Sequence, residues 1–317
     1  MKVLVTIPVN ETHKKELASK AGAAKLVYVL SNNVTAKDVA DVEAIIGNVP
    51  ADLLKDAKKL RWLQLNSAGA DAYIKDGVMP EGATLTNATG AYGLALSEHM
   101  LAQLLAMMKK LYPYYDNQKE GLWKDEGTVH SIYGSTVLVV GLGDIGGSFA
   151  RRMKALGAYV IGMRRRSNVI PDYADEMASL DDLDQVLGRA DIIASSLPGT
   201  AATKHLFNKK RFAAMKKGAY FLNIGRGTAV VSADLCAAVK TGQLAGAAVD
   251  VTDPEPLPAD DPMWKVPGLY ITPHISGQYH LAATLDNIVH IAAQNLAAFL
   301  KEQPLRNEVD FTTGYKK

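Results

Sequence analysis

Three short segments in the last third of this 317-residue chain each offer one reactive side chain: Gly225-Arg226-Gly227, Asp253-Pro254-Glu255-Pro256 and Thr272-Pro273-His274-Ile275. An arginine grips a carboxylate with its planar fork. A histidine moves a proton near neutral pH. A carboxylate beside that histidine holds one tautomer and favours the charged ring. Upstream, Gly141-Leu142-Gly143-Asp144-Ile145-Gly146 follows an apolar run and opens a helical one. There the first glycine permits a tight turn, the second lets a pyrophosphate approach the backbone, and the third lets helix and strand pack closely. The helix N-terminus adds N–H groups and the positive end of a dipole. Beside a dinucleotide site, the three side chains are equipment for moving a hydride and a proton to or from a 2-oxo acid. Singly, each has a plainer reading: Arg226 a surface turn, Glu255 a loop acid, His274 a cap, the glycine motif a turn with no ligand.

Each segment sits where a strand-like run ends. Apolar runs at 2–7, 26–30, 43–47 and 61–65 alternate with helix-like polar stretches. A second series follows at 136–140, 159–162, 191–195, 219–223, 246–250 and 269–272, enough strands for a complete dinucleotide-binding sheet. Strands alternating with helices imply parallel sheets covered by helices. A long apolar helix is expected over 94–112, ending at Pro113, with enough apolar surface to suggest burial in an oligomer. A last helix over 281–300 is expected to cross back to the first domain and make it discontinuous.

The composition narrows the alternatives. Hydrophobic residues make up 48% and charged residues 21%, so a full core is affordable and disorder is not expected. A net charge of +2 does not point to nucleic acid or an anionic membrane as partner. The single cysteine, Cys236, excludes an intrachain disulfide and reads as a small core residue. The N-terminal apolar run stops at Pro8 and does not read as a signal peptide. No run approaches the roughly 20 apolar residues of a membrane span, so a cytoplasmic protein is expected. No metal-ligand spacing occurs, and His13, His99, His130, His205, His280 and His290 lack the company that His274 has. Trp123 and Tyr92 read as ordinary packing residues, whereas Tyr279 and His280 are candidates to line a substrate pocket.

The residues that choose between the two nicotinamide cofactors should follow the second strand of the second series. The chain has Met163-Arg164-Arg165-Arg166-Ser167 there, with no acid to accept from a ribose 2′-hydroxyl. A guanidinium would instead bind a 2′-phosphate. Arg164 and Arg165 therefore point to NADP(H), with NAD(H) left open and a solvated basic loop as the plain alternative.

Taken together, the glycine motif, Ser196-Leu197-Pro198-Gly199-Thr200 with Thr203, Asn223-Ile224-Gly225-Arg226-Gly227, Asp250-Val251 with Glu255-Pro256-Leu257-Pro258, and Thr272-Pro273-His274 resemble the D-isomer specific 2-hydroxyacid dehydrogenase family. The resemblance covers nearly the whole chain. It implies two doubly wound parallel-sheet α/β domains. Residues 1–93 and 284–317 would form a flavodoxin-like substrate domain, and 94–283 a Rossmann domain. It further implies D stereochemistry and a homodimer. By the same resemblance Arg226 binds the substrate carboxylate, His274 is the acid/base and Glu255 its partner. Asp250 orients the nicotinamide carboxamide, and the backbone of Ser67, Ala68 and Gly69 meets the substrate carboxylate. Gly141, Gly143, Asp144, Ile145, Gly146, Ser196, Leu197, Pro198, Thr203 and Ile224 border the cofactor. Glu255 separates the chain from the formate dehydrogenase branch, which carries glutamine there. The end soon after Val309 argues against the long, effector-regulated phosphoglycerate dehydrogenases. The arginines favour glyoxylate or hydroxypyruvate reductase-like members. NAD-dependent oxidation of 3-phosphoglycerate is the alternative, and a nucleotide-sensing interaction protein of the same fold is the alternative of another class. Loops near 48–50, 66–72 and 88–93 should set the choice of 2-oxo acid.

Overall fold

The computed structural model describes residues 1–165, 169–312 and 314. In chain order its elements are β1 (Lys2–Val5), α1 (Glu11–Lys20), β2 (Lys25–Tyr28), α2 (Ala36–Val39), β3 (Ala44–Ile46), β4 (Trp62–Gln64), β5 (Thr84–Thr86), α3 (Gly93–Met108) and α4 (Leu111–Lys119). There follow β6 (Thr136–Val140), α5 (Asp144–Ala155), β7 (Tyr159–Met163), β8 (Glu176–Ala178), α6 (Leu183–Val186), β9 (Ile192–Ser195) and α7 (Lys209–Ala214). Last come β10 (Ala219–Asn223), α8 (Ser232–Lys240), β11 (Leu244–Val249), β12 (Leu269–Ile271) and α9 (Ala282–Leu300). They form two compact units: Met1–Tyr92 joined by the chain from Tyr279 onward, and Gly93–Gln278. The return to the first unit thus begins at Tyr279 and not at residue 284.

In the first unit five parallel strands run in the order β2-β1-β3-β4-β5, the flavodoxin-like winding. In a fully covered parallel sheet the strands read as unbroken apolar runs, and Val3, Leu4, Ala44, Ile45, Trp62 and Leu63 are all buried. A buried polar relay ties the late helix to this early sheet. Asn295 Nδ2 of α9 donates to Gln64 Oε1 at 2.7 Å, and Thr86 Oγ1 donates to the same oxygen at 2.8 Å. Trp62 Nε1 in turn donates to Thr86 Oγ1 at 2.9 Å.

The second unit holds seven parallel strands in the order β12-β11-β10-β9-β6-β7-β8, a Rossmann winding with one extra strand. The direction of winding reverses between β6 and β9, and ligands of such sheets bind outside the carboxyl ends of the strands at that switch. β8, three half-buried residues, carries too little apolar pattern to be read from sequence.

Two sequence expectations fail around α3. The helix stops at Met108 rather than Pro113, because Lys110 turns left-handed at φ 56°. Pro113 is the third residue of the next helix, where its missing N–H is no loss. The apolar surface of α3 is also used inside the unit: Leu96, Met100, Leu104, Met107 and Met108 are buried, and the helix packs on α5, β10 and β11. Leu94 near the start of α3 stays exposed, and further exposed apolar residues lie on α4 and the segment after it: Leu111, Tyr115, Leu122, Trp123, Val129 and Tyr133. Trp123, expected to pack, is fully exposed, because the stretch that carries it has no regular structure.

Candidate active site

The nucleotide turn forms where β6 ends. Gly141 adopts φ +102°, and a Cβ on Gly146 would lie 2.1 Å from the Gly141 carbonyl oxygen, so the strand-to-helix passage tolerates only glycine there. Helix α5 starts at Asp144 with no side-chain cap, and Ile145 and Gly146 complete its first turn. A Cβ on Gly143 would meet nothing within 4 Å. An uncapped helix N-terminus fronted by open space fits a pyrophosphate. Ser196 Oγ donates to the Gly141 carbonyl at 2.7 Å, locking the turn to the loop after β9. In that loop Thr203 Oγ1 donates to the Pro198 carbonyl at 2.6 Å, and Ile224 N, just past β10, donates to the carbonyl of Ser195 at the end of β9 at 3.0 Å. Arg164 and Arg165 leave the end of β7, the first half-buried and the second exposed. Arg164 Nη2 donates to the Val169 carbonyl at 2.7 Å. Arg166 and Ser167 of the same run lie outside the described residues.

Arg226 stands between glycines because its loop is squeezed. A Cβ on Gly225 would lie 2.2 Å from the Leu197 carbonyl oxygen, and one on Gly227 would lie 1.9 Å from that of Thr252. The loops after β9, β10 and β11 therefore touch through bare backbone, which excludes the free surface turn. Asn223 Nδ2 donates to the Arg226 carbonyl at 2.9 Å, and Arg226 Nη1 donates to the Gly225 carbonyl at 2.8 Å.

Glu255 and His274 meet directly, with Nδ1 and Oε2 2.9 Å apart. The other carboxylate oxygen accepts the Thr252 N–H at 3.0 Å, which fixes the carboxylate. An ionised carboxylate only accepts, so Nδ1 bears a hydrogen and Nε2 is left for exchange with a ligand. The His274 backbone is left-handed at φ 51°, a conformation that persists only where neighbours enforce it. Asp250, 3% exposed, is the enforcer. Its Oδ1 accepts from Thr272 Oγ1 at 2.6 Å and from Ile275 N at 3.1 Å. Its Oδ2 accepts from Ser276 N at 3.2 Å and from the Ser276 hydroxyl, and its carbonyl accepts from His274 N at 2.8 Å. The Asp250 carboxylate thus serves the histidine turn with about its full acceptor capacity. One residue that the sequence did not single out joins this set: His99 Nε2 of α3 lies 3.1 Å from Thr272 Oγ1. The Thr272 proton already goes to Asp250, so His99 Nε2 must be the donor. The only trace of this role in the sequence is a histidine in a largely apolar helix.

In the first unit the loop Asn66-Ser67-Ala68-Gly69 follows β4. Asn48 N–H donates to Asn66 Oδ1, and Asn66 N–H donates to Asn48 Oδ1 at 3.1 Å. Tyr92, buried as expected, donates its hydroxyl to the Asn66 carbonyl. The Tyr279 hydroxyl accepts from Asn66 Nδ2 at 2.6 Å, whereas His280 is simply exposed. The Ser67 hydroxyl accepts from Asn48 Nδ2 at 3.2 Å and donates its proton to the Gly69 carbonyl at 2.6 Å. Among the described residues no group of three or more His, Cys, Asp or Glu could hold a metal ion, and no helix is long and apolar enough to cross a membrane.

The chain is similar in sequence and fold to known proteins. A solved D-isomer specific 2-hydroxyacid dehydrogenase family protein from Aeromonas salmonicida is 33% identical, with 98% of this chain and 99% of that one covered at a TM-score of 0.86. A solved NADPH-dependent glyoxylate/hydroxypyruvate reductase from Sinorhizobium meliloti, in complex with NADP and sulfate, is 25% identical, with 99% of each chain covered at a TM-score of 0.85. D-3-phosphoglycerate dehydrogenase of Archaeoglobus fulgidus is 30% identical over 98% of this chain, which spans 59% of that longer protein. Residues 101–276 match the model of the D-isomer specific 2-hydroxyacid dehydrogenase NAD-binding domain. With its two parallel sheets and the Glu255–His274 pair at the strand ends, this chain belongs to the D-isomer specific 2-hydroxyacid dehydrogenase family.

Proposed function

We propose that this chain is an NADP(H)-preferring reductase of small 2-oxo acids of the glyoxylate and hydroxypyruvate type. The observation that carries the reading is the 2.9 Å contact of His274 Nδ1 with Glu255, which leaves Nε2 for the substrate oxygen. Gly141, Gly143, Asp144, Ile145 and Gly146, with Ser196, Leu197, Pro198, Thr203 and Ile224, hold a nicotinamide dinucleotide, which when bound supplies the hydride. Arg226 grips the substrate carboxylate and polarises the carbonyl. His274 gives the carbonyl oxygen its proton during reduction and removes the hydroxyl proton in the reverse direction. Negative charge develops on that oxygen as the reaction proceeds, so a cationic Arg226 and a protonated His274 favour the transition state over the ground state. Glu255 holds the imidazole tautomer and Asp250 holds the turn. The first unit is the substrate domain and the second the nucleotide domain. Arg164 and Arg165, with no acid after β7, support NADP(H). The exposed rings and aliphatic side chains of α4 and the following segment support a homodimer.

Parallel assays of NADPH and NADH oxidation with glyoxylate, hydroxypyruvate, pyruvate and a branched 2-oxo acid test the reading. Turnover with NADPH well above that with NADH is the expected result. Activity with NADH alone would remove the role given to Arg164 and Arg165. It would favour the second reading, NAD-dependent oxidation of 3-phosphoglycerate, which the Archaeoglobus relative supports.

A further inference from the structure

The hydrogen bonds of the first unit leave a set of donors facing no acceptor. A main-chain N–H can only donate, so the Asn66 side-chain atom that Asn48 N–H meets is the oxygen, and Nδ2 is the atom beside Tyr279. The same reasoning fixes Asn48, whose Oδ1 receives Asn66 N–H and whose Nδ2 faces Ser67 Oγ. Neither amide can flip without losing a bond to the other residue's backbone. The Tyr279 oxygen is therefore an acceptor toward Asn66, and its own proton meets no acceptor among the described residues. Partial burial pushes the phenol up to about 12, so the proton stays in place across the neutral range.

The loop beside it is polarised the same way. All four of its carbonyls are used inside the unit. That of Asn66 accepts from the Tyr92 hydroxyl, and that of Ser67 from Ala88 N at 3.0 Å. That of Ala68 accepts from Asn87 Nδ2 at 2.8 Å, and that of Gly69 from the Ser67 hydroxyl at 2.6 Å. The N–H groups of Ser67, Ala68 and Gly69 meet no acceptor among the described residues. Three successive N–H groups and a hydroxyl proton, with every local acceptor already occupied, suit a group that only accepts, and a carboxylate is such a group.

We propose that the Tyr279 hydroxyl donates to a carboxylate oxygen of the 2-oxo acid alongside the Ser67–Gly69 backbone, and so sets substrate affinity rather than the rate of hydride transfer. This inference rests on the reading of the chain as a 2-oxo acid reductase. Asn66 and Asn48 are positioning residues that aim the hydroxyl.

Tyr279→Phe keeps the ring and removes only the donor. The expected result is a KM for glyoxylate and for hydroxypyruvate raised about tenfold or more, the lower end for a hydrogen bond to a charged group. The turnover number should stay within about twofold and the KM for NADPH should not change, as expected for an interaction made equally in ground and transition states. Oxamate, which has the carboxylate but accepts no hydride, should bind the variant more weakly by the same factor when titrated calorimetrically in the presence of NADP⁺. An active wild-type enzyme whose Phe variant has an unchanged KM would overturn the role of Tyr279 and leave the reductase reading intact. A rise confined to hydroxypyruvate would overturn the carboxylate assignment, because the carboxylate is common to both acids and only hydroxypyruvate carries a C3 hydroxyl. A wild-type protein that turns over no 2-oxo acid, yet binds oxamate through Tyr279, would overturn the reductase reading and keep the cradle. Failure of the wild-type protein to bind oxamate would overturn the cradle itself.

Discussion

His274 combines a left-handed backbone, an Nδ1 directed to Glu255 and an anchored peptide, so its ring orientation is set before any substrate arrives. Replacing it with alanine would remove the proposed proton transfer without touching the anchor, since Asp250 binds the turn through Thr272, Ile275 and Ser276. His274→Ala should therefore lower the turnover number by about 10²–10⁴-fold, the range of general acid–base catalysis. The KM for NADPH and the melting temperature should stay near those of the wild type, and steady-state kinetics with a thermal melt check both. At this scale the candidate residues were legible where residue type is itself informative. An arginine, a glutamate and a histidine, each at a strand end, are few enough in kind to be picked out. Asn48, Asn66 and His99 were not, because an asparagine in a loop or a histidine on an apolar helix has the same appearance whether or not it holds something. Their roles come from partners 18 and 173 residues away, which no local pattern encodes.

The turn between β12 and α9 shows how elements share the work. Asp250 closes β11, Thr272 closes β12 and His99 sits on α3, and one hydroxyl links all three. Thr272→Val keeps the shape but takes one donor from a buried carboxylate and leaves His99 Nε2–H without its acceptor. The variant should lose about 1–3 kcal/mol of unfolding free energy, read by denaturant titration, and its turnover number should fall as the histidine turn loosens. A variant as stable as the wild type would show that the three elements are not coupled through this hydroxyl. The strands of both sheets were legible because two-sided burial demands unbroken apolar runs, which Val137-Leu138-Val139-Val140 displays. The break between α3 and α4 was not, because it depends on a left-handed lysine, and a proline three positions later gave a stronger but misplaced stop signal.

Over the whole molecule, the exposed apolar side chains of α4 and the segment around Trp123 are the surface on which the proposed homodimer rests. A Leu122→Ser/Trp123→Ser variant is expected to shift the light-scattering mass from dimer toward monomer. A wild-type protein that is monomeric at working concentration would remove the dimer from the proposal. The two-unit architecture was legible because the strand rhythm restarts after the long helix, whereas the return at Tyr279 has no local pattern to mark it, since its contact with Asn66 is one that only the folded chain makes. The relay from Trp62 through Thr86 and Gln64 to Asn295 also bears on how the chain is made. Gln64 emerges from the ribosome 231 residues before the helix that completes its hydrogen bonding. At about 5–20 residues per second that is roughly ten to fifty seconds. During that time the nucleotide unit, contiguous in the chain, can be finished, while the N-terminal sheet still lacks the helix that covers it. The order of synthesis is thus the reverse of the order of completion, and a nascent chain stalled before α9 would present the β4 face of the early sheet to chaperones.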